Sequence, residues 1–105
     1  MDNKLDTAAL AGRLAALSHP ARLRILTHLS RQNCCSCCKD VVSQLDLAQS
    51  TVSQHLKVLV DAGLVRLTPQ GTRSFYEIDR AALGALSTSV SDLLTSCCAG
   101  PCPTE

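Results

Sequence analysis

The chain has 105 residues, a formal net charge of +1 and 46% hydrophobic residues, yet it contains one Phe, one Tyr and no Trp. This length leaves room for one domain and excludes a second, and a core poor in aromatic residues must be built from Leu, Ala and Val, which suits helices packed on helices. A charge this close to zero neither requires nor excludes a nucleic-acid partner, so DNA binding must be argued from a motif.

No stretch of the sequence has the pattern of a signal peptide or the length of a membrane span, so we expect a cytosolic protein with no membrane partner. The chain contains seven cysteines. In a reducing compartment cysteines are expected to remain thiols instead of forming structural disulfides. They are therefore free to act as ligands or as redox sensors.

The first half of the chain predicts three helices. Leu and Ala residues favour a first helix over 5–17. Pro20 stands where a second helix would begin, a position at which its missing N–H costs nothing, and apolar residues continue that helix to Leu29. After a cluster of cysteines, apolar residues at 41–45 indicate a short third helix, and 46–48 a turn.

The second half predicts a helix, a hairpin and a last helix. Val52, Leu56 and Leu59 recur at helical spacing, and Gly63 ends this fourth helix. Residues 64–68 alternate apolar and polar side chains, Pro69-Gln70-Gly71 predicts a turn, and 72–78 is rich in strand-forming residues. In the last helix the apolar residues step by three, four and three, which is typical of helices that pair with another helix; they are Leu83, Leu86, Val90 and Leu93, and the next step falls on Cys97.

Two short helices around a tight turn, followed at once by a hairpin, predict a winged helix-turn-helix. The fold is then mainly α with a β-hairpin wing, in the order α-α-α-α-β-β-α, as a single domain over 1–105 that dimerises through its terminal helices. The C-terminal dimerisation helix covers about 80–98, and a Cys-rich tail covers 97–105.

The second helix of the pair would enter the major groove of DNA. Its polar side chains are short hydrogen-bonding groups that suit base edges and phosphates, although such a face can also be simply solvated. An arginine beside the hairpin tip could reach a phosphate or the minor groove. The candidate DNA-binding residues are Gln49, Ser50, Thr51, Ser53, Gln54, His55, Lys57 and Arg73.

Two stretches of the sequence resemble the ArsR/SmtB family of metal-responsive repressors. Residues 49–65, QSTVSQHLKVLVDAGLV, look like the recognition helix of that family, and 17–26, LSHPARLRIL, like the start of its second helix. Gly71, Arg73 and Tyr76 stand where its wing usually carries a Gly-Arg pair and a tyrosine. The resemblance covers about 10–80 and is strongest to arsenic-responsive members.

The turn before the recognition helix departs from the family pattern at two positions. Asp46 stands where the family usually has Gly, and Asp tolerates left-handed backbone better than most residues, so we expect the turn to survive. Ala48 stands where a capping Ser is usual, and we expect the absence of that Ser to cost about 1 kcal/mol unless Gln49 or Ser50 compensates. His19 is expected to pack or cap at the junction between the first two helices.

The resemblance implies homodimers that bind double-stranded operator DNA and dissociate when an inducer binds. A zinc site of the nitrogen-and-oxygen type on the last helix is not expected, since no His follows Arg80. Clustered thiolates instead favour As(III) or Sb(III), and also Cd(II), Pb(II), Hg(II) or Cu(I). The first-choice ligands are Cys97, Cys98 and Cys102, an arrangement that resembles the tail of some arsenic-responsive relatives.

The first cysteine cluster in the chain, within residues 34–38, is the alternative ion site; it could bind its own ion, share one with the tail, or do both. If its segment were helical, spacings of three and four would bring several thiols to one face, and a helix N-terminus would favour thiolates. Cys37 aligns with the first cysteine of a Cys-Val-Cys-Asp motif found in many relatives, but Lys39 aligns with the second, so the match is partial. The cluster comprises Cys34, Cys35, Cys37 and Cys38.

Other functions remain open from the sequence. A repressor with the same DNA-binding domain could respond to disulfide or persulfide formation between two cysteines. A metal-storage or trafficking protein is a third class. An enzyme is not expected, because no nucleophile with a His and an acid partner can be identified.

Overall fold

A computed structural model of the protein describes residues 6–31, 36–37 and 45–99, the pair 36–37 through its backbone. Most of the predicted third helix lies outside the described residues, although Leu45 at its end is helical and buried. The elements in chain order are α1 (Thr7–Leu17), α2 (Pro20–Ser30), β1 (Ser36–Cys37), α3 (Gln49–Asp61), β2 (Val65–Gln70), β3 (Arg73–Ile78) and α4 (Arg80–Ala99).

Side chains cap the first two helices at their N-termini. The Asp6 carboxylate accepts a hydrogen bond from the amide of Ala9 at 2.7 Å, and α1 begins directly after it. Nδ1 of His19 accepts one from the amide of Ala21 at 3.0 Å, with Pro20 as the first residue of α2. Such caps satisfy amides that have no partner within the helix. The prediction of a capping His19 is confirmed.

The turn before α3 has the predicted irregularities. Asp46 has a positive φ of 55°, so this residue does occupy the left-handed region. Ala48 is the N-cap of α3 and supplies no side-chain hydrogen bond, as expected for a residue without a polar side chain. Gly63 follows the helix with a φ of 82°, a conformation that glycine adopts without steric cost.

The strands form a three-stranded antiparallel sheet in the order β1-β3-β2. The sequence predicted the hairpin but not β1, whose residues 36–37 pair with Tyr76 and Phe75 of β3. A helical arrangement of the first cysteine cluster is therefore wrong at Cys37, because the backbone there is extended and pairs with a strand. Pro69 was assigned to the turn but pairs with Ser74 within β2, which is an edge strand and tolerates a missing amide.

The core lies where α2, α3 and the base of the hairpin meet. Ile25, Val52, Leu56, Leu59 and Leu64 are fully buried, and α4 joins them through Leu86. Farther along α4 the side chains leave this core, and Leu93 is 48% exposed. Among the described helices, none combines the length and apolar character needed to span a bilayer.

Candidate nucleic-acid interface and thiol site

The recognition helix α3 has one buried stripe and one exposed polar face. Val52, Leu56 and Leu59 are fully buried and hold the helix on the core. Because these residues recur every three or four positions, the side chains between them are turned outward. Of the predicted DNA-binding residues on this helix, Thr51 and His55 are half-buried and the others are exposed: Gln49, Ser50, Ser53, Gln54 and Lys57.

Lys57, the lysine on this face, forms an ion pair within α3. Lys57 Nζ lies 3.2 Å from Asp61 Oδ2, one helical turn away. Both side chains are mostly exposed, and an ion pair of this kind contributes only about 0.3–0.5 kcal/mol. Exchanging Asp61 for a phosphate would therefore cost little.

The wing carries its arginine at the start of β3. Gly71 makes the turn with a φ of 64°, and Arg73 follows it with an exposed side chain. Farther from the tip, Arg66 and Glu77 pair across the two strands, with Arg66 Nη2 3.6 Å from Glu77 Oε1. The second cation of the wing is thus partly neutralised, and Arg73 is the one at the tip.

His55 contacts the start of α2, which the sequence analysis did not anticipate. Arg22 Nη1 lies 3.2 Å from His55 Nδ1, and the rings of His19 and His55 are 4.4 Å apart between centroids. Burial, assisted by the nearby His19 and Arg22, lowers the pKa of His55 below its usual value. Arg22 lies within the motif at 17–26, but nothing in that motif indicates a partner 33 positions away.

Two cysteines of the predicted tail site lie on the last turn of α4. Cys97 and Cys98 are exposed free thiols. Over residues 6–31 and 45–99, no three His, Cys, Asp or Glu side chains come together as a metal site. Cys37 is described through the backbone of β1, and the remaining predicted thiol ligands lie outside the described residues: Cys34, Cys35, Cys38 and Cys102.

Adjacent thiols at a helix end have the donor chemistry of a soft-ion site. Neighbouring side chains on an α-helix point about 100° apart, so the two adjacent thiols face different directions. Cys97 and Cys98 are exposed near the end of α4, so an ion could approach either sulfur from solvent. Thiolate sulfur prefers soft ions to hard cations such as Mg²⁺ or Ca²⁺. The residues present therefore fit a thiophilic ion and do not fit a hard one.

Comparison with known proteins places this geometry in a family. A model of the bacterial regulatory proteins of the arsR family matches residues 19–66, from the cap of α2 into β2. The arsenical resistance operon repressor of Staphylococcus xylosus is 34% identical over 83 residues, which cover 79% of this chain and 78% of the relative. The repressor of the same name in Bacillus subtilis is 38% identical over 74 residues, 69% of each chain.

The fold of a solved structure agrees with these matches. A homodimeric winged helix-turn-helix DNA-binding domain from Mycobacterium bovis superimposes with a TM-score of 0.66 at 28% identity, covering 91% of this chain and 94% of that domain. Its helices and wing thus correspond to nearly all of the present chain. From the fold, the sequence match at the helix-turn-helix and the extent of the shared length, the chain belongs to the ArsR family of bacterial regulatory proteins and is not an enzyme.

Proposed function

We propose that this protein is a transcriptional repressor that binds operator DNA as a homodimer and dissociates when a thiophilic ion binds its cysteine thiolates. The observation that carries the DNA-binding part is the exposed polar face of α3 beside a wing with Arg73 at its tip. Short amides and hydroxyls on a helix of this size match the major groove, and an arginine on a wing matches the adjacent backbone. The names of the staphylococcal and Bacillus relatives support repression and an arsenical inducer.

The homodimer is supported by α4 and by the Mycobacterium bovis domain. The apolar residues that recur at steps of three and four along α4 form a seam. This seam runs from the buried Leu86 through Val90 to Leu93, which is half exposed, and then to Cys97. A second protomer that covers the end of this seam would bury Leu93 and Leu94 and would bring the thiols close to the two-fold contact. Operators that mirror this symmetry would then contain two half-sites.

The inducer is proposed to be As(III) or Sb(III), held by Cys97, Cys98 and Cys102. Three thiolates satisfy a trivalent metalloid, and Cd(II), Pb(II), Hg(II) and Cu(I) share the preference for sulfur. The first cluster, with Cys37 near its centre, is the second candidate. Release follows from linkage: an ion that binds the DNA-free conformation more tightly lowers the affinity for DNA, typically by 5- to 150-fold.

The test is a titration of a preformed DNA complex. Wild-type protein is first used to select a duplex from a random-sequence library. The complex of the protein with this labelled duplex is then followed by fluorescence anisotropy, without oxygen and with a monothiol as the reductant. We expect sodium arsenite or antimony(III) to release the DNA. The triple variant Cys97→Ser, Cys98→Ser, Cys102→Ser should bind the duplex as wild type does and should no longer release it.

Matched variants separate the alternatives. If changing the first cluster to serine abolishes release and changing the tail does not, the ion binds at the first cluster. If no ion releases the DNA while a persulfide or disulfide donor does, the protein is a redox-responsive repressor, which the exposed thiols Cys97 and Cys98 would also permit.

The DNA-binding face is tested separately. Ser53→Ala with Gln54→Ala should weaken DNA binding and leave ion binding unchanged. Failure of the wild-type protein to select any duplex would contradict the proposal as a whole.

A further inference from the structure

Arg22 connects three helices through the two ends of its guanidinium group. Its Nε donates a hydrogen bond to the carbonyl of Ala16, at the end of α1, over 2.7 Å. Its Nη1 lies 3.2 Å from Nδ1 of His55, on the recognition helix. The side chain is part-buried in both contacts. Its position is therefore fixed from two sides, by a backbone carbonyl and by an imidazole.

The contact with Arg22 determines which nitrogen of His55 carries the proton. A guanidinium group has five N–H donors and no acceptor, so Nδ1 of His55 has to be the acceptor. The imidazole is then neutral, with its proton on Nε2. His19, the N-cap of α2, and Arg22 of α2 lie against this ring, and the carbonyl of Ala16 in α1 binds Arg22. Burial and both of these groups disfavour a positive charge on the ring, in agreement with the lowered pKa of His55.

With its proton on Nε2, His55 gives the recognition helix a hydrogen-bond donor. Nε2 is the ring nitrogen that Arg22 does not contact, and His55 is half-buried between the exposed Gln54 and the buried Leu56 along α3. A free neutral histidine can offer either a donor or an acceptor at this nitrogen. Here only the donor is compatible with Arg22. Acceptors that suit it on DNA are phosphate oxygens and the N7, O6 and O4 atoms of base edges.

We propose that Arg22 is a positioning residue for DNA recognition, which holds His55 in the Nε2–H tautomer so that the recognition helix presents a hydrogen-bond donor to the operator. This inference rests on the proposed function, because the donor has a role only if α3 contacts DNA. It assigns Arg22 a part in recognition although its own guanidinium is occupied within the protein.

The tautomer can be measured without DNA. Long-range proton–nitrogen spectra of the ¹⁵N-labelled protein at pH 8 distinguish a protonated Nε2 from a protonated Nδ1. We expect His55 to have its proton on Nε2 in the wild-type protein and to exchange between tautomers in Arg22→Lys, which keeps the positive charge but lacks the forked geometry. A His55 ring protonated at Nδ1 in the wild-type protein would overturn the proposal.

Two near-isosteric variants then test the donor. In His55→Gln the amide nitrogen lies near the former Nε2, and in His55→Asn the amide oxygen lies near the former Nδ1. We expect His55→Gln to bind the selected duplex within about threefold of wild type. His55→Asn should keep the contact with Arg22 but lose about five- to tenfold in affinity, the effect of one hydrogen bond. Equal losses in both variants would contradict a donor at Nε2.

A double-mutant cycle separates positioning from a general structural role. We expect Arg22→Lys to weaken DNA binding about fivefold in the wild-type background and to have little effect in the His55→Gln background, since Gln carries its own donor. An equal loss in both backgrounds would mean that Arg22 acts through the fold and not through His55. If wild-type protein selected no duplex, the proposed function would fail while the tautomer measurement still reported on the Arg22–His55 contact.

Discussion

His55 is the residue at which the recognition helix meets the start of α2. Its ring accepts from Arg22 and lies 4.4 Å from the ring of His19, which itself caps α2 through Nδ1. Both imidazoles therefore accept hydrogen bonds at Nδ1. A proton on Nδ1 of His55 would break the contact with Arg22 that joins the two helices.

The folded protein should lose stability as the pH falls through the range in which His55 titrates. Its pKa is lowered in the fold relative to the usual value of about 6.5, so between the two pKa values the unfolded chain binds more protons than the folded chain. The free energy of unfolding therefore decreases from pH 7.5 toward pH 5.5. Chemical denaturation at several pH values measures this slope.

His55→Gln is the control for the pH experiment, because Gln has no proton to gain in this range. We expect the slope of stability against pH to be smaller in this variant than in wild type, with the remaining slope due to other groups. An identical slope in the two proteins would contradict a lowered pKa at His55.

Helix α3 begins without a side-chain N-cap, unlike α1 and α2. Ala48 is its N-cap and supplies no hydrogen bond to the first amides of the helix. Those amides belong to residues at the proposed DNA-binding face, so poor order in this turn would affect Gln49 and Ser50 directly. A polar cap would satisfy one amide that otherwise depends on solvent.

Ala48→Ser should raise the free energy of unfolding by about 1 kcal/mol, the usual effect of a serine N-cap. The change is measured by urea denaturation. Ala48→Val is the matched control, since it adds a side chain without an acceptor and should give no gain. If Ser and Val gave the same result, a hydrogen bond at the N-cap would not be the cause.

At the scale of the whole molecule, one apolar surface of α4 is left exposed to solvent. Helix α4 packs on its own core through Leu86, while Leu93 and Leu94 are 48% and 56% exposed near its end. Exposed leucines side by side on one helix are typical of a surface that a second protein covers. We have proposed a second copy of this chain as that protein.

Leu93→Lys should shift the protein from dimer to monomer, because a cation would be introduced into an apolar contact. Sedimentation at micromolar concentration measures the mass. Thr95→Lys is the control, since it adds the same charge to the same turn away from the seam and should leave the dimer intact. A monomeric wild-type protein, or a Leu93→Lys variant that stays dimeric, would contradict dimerisation through α4.

The sequence predicted most of the fold because its signals are local. Pro20 and Gly63 mark helix ends through their own backbone preferences, and Asp46 was expected in the left-handed turn in which it is found. The two-residue strand β1 has no periodicity of its own and exists through pairing with β3, about 40 residues away along the chain. For the same reason the sequence indicated His55 as a candidate but not Arg22, its distant partner.

The pairing of β1 with β3 has a mechanical consequence for the hairpin. The backbone of residues 36–37 is joined to Phe75 and Tyr76, and Arg73 begins that same strand two residues earlier. A shift of the chain at Cys37 would therefore pull on the strand that leads to the tip. Backbone displacement at 36–37 would thus reach the strand of Arg73 directly, through the hydrogen-bonded pairs of the sheet.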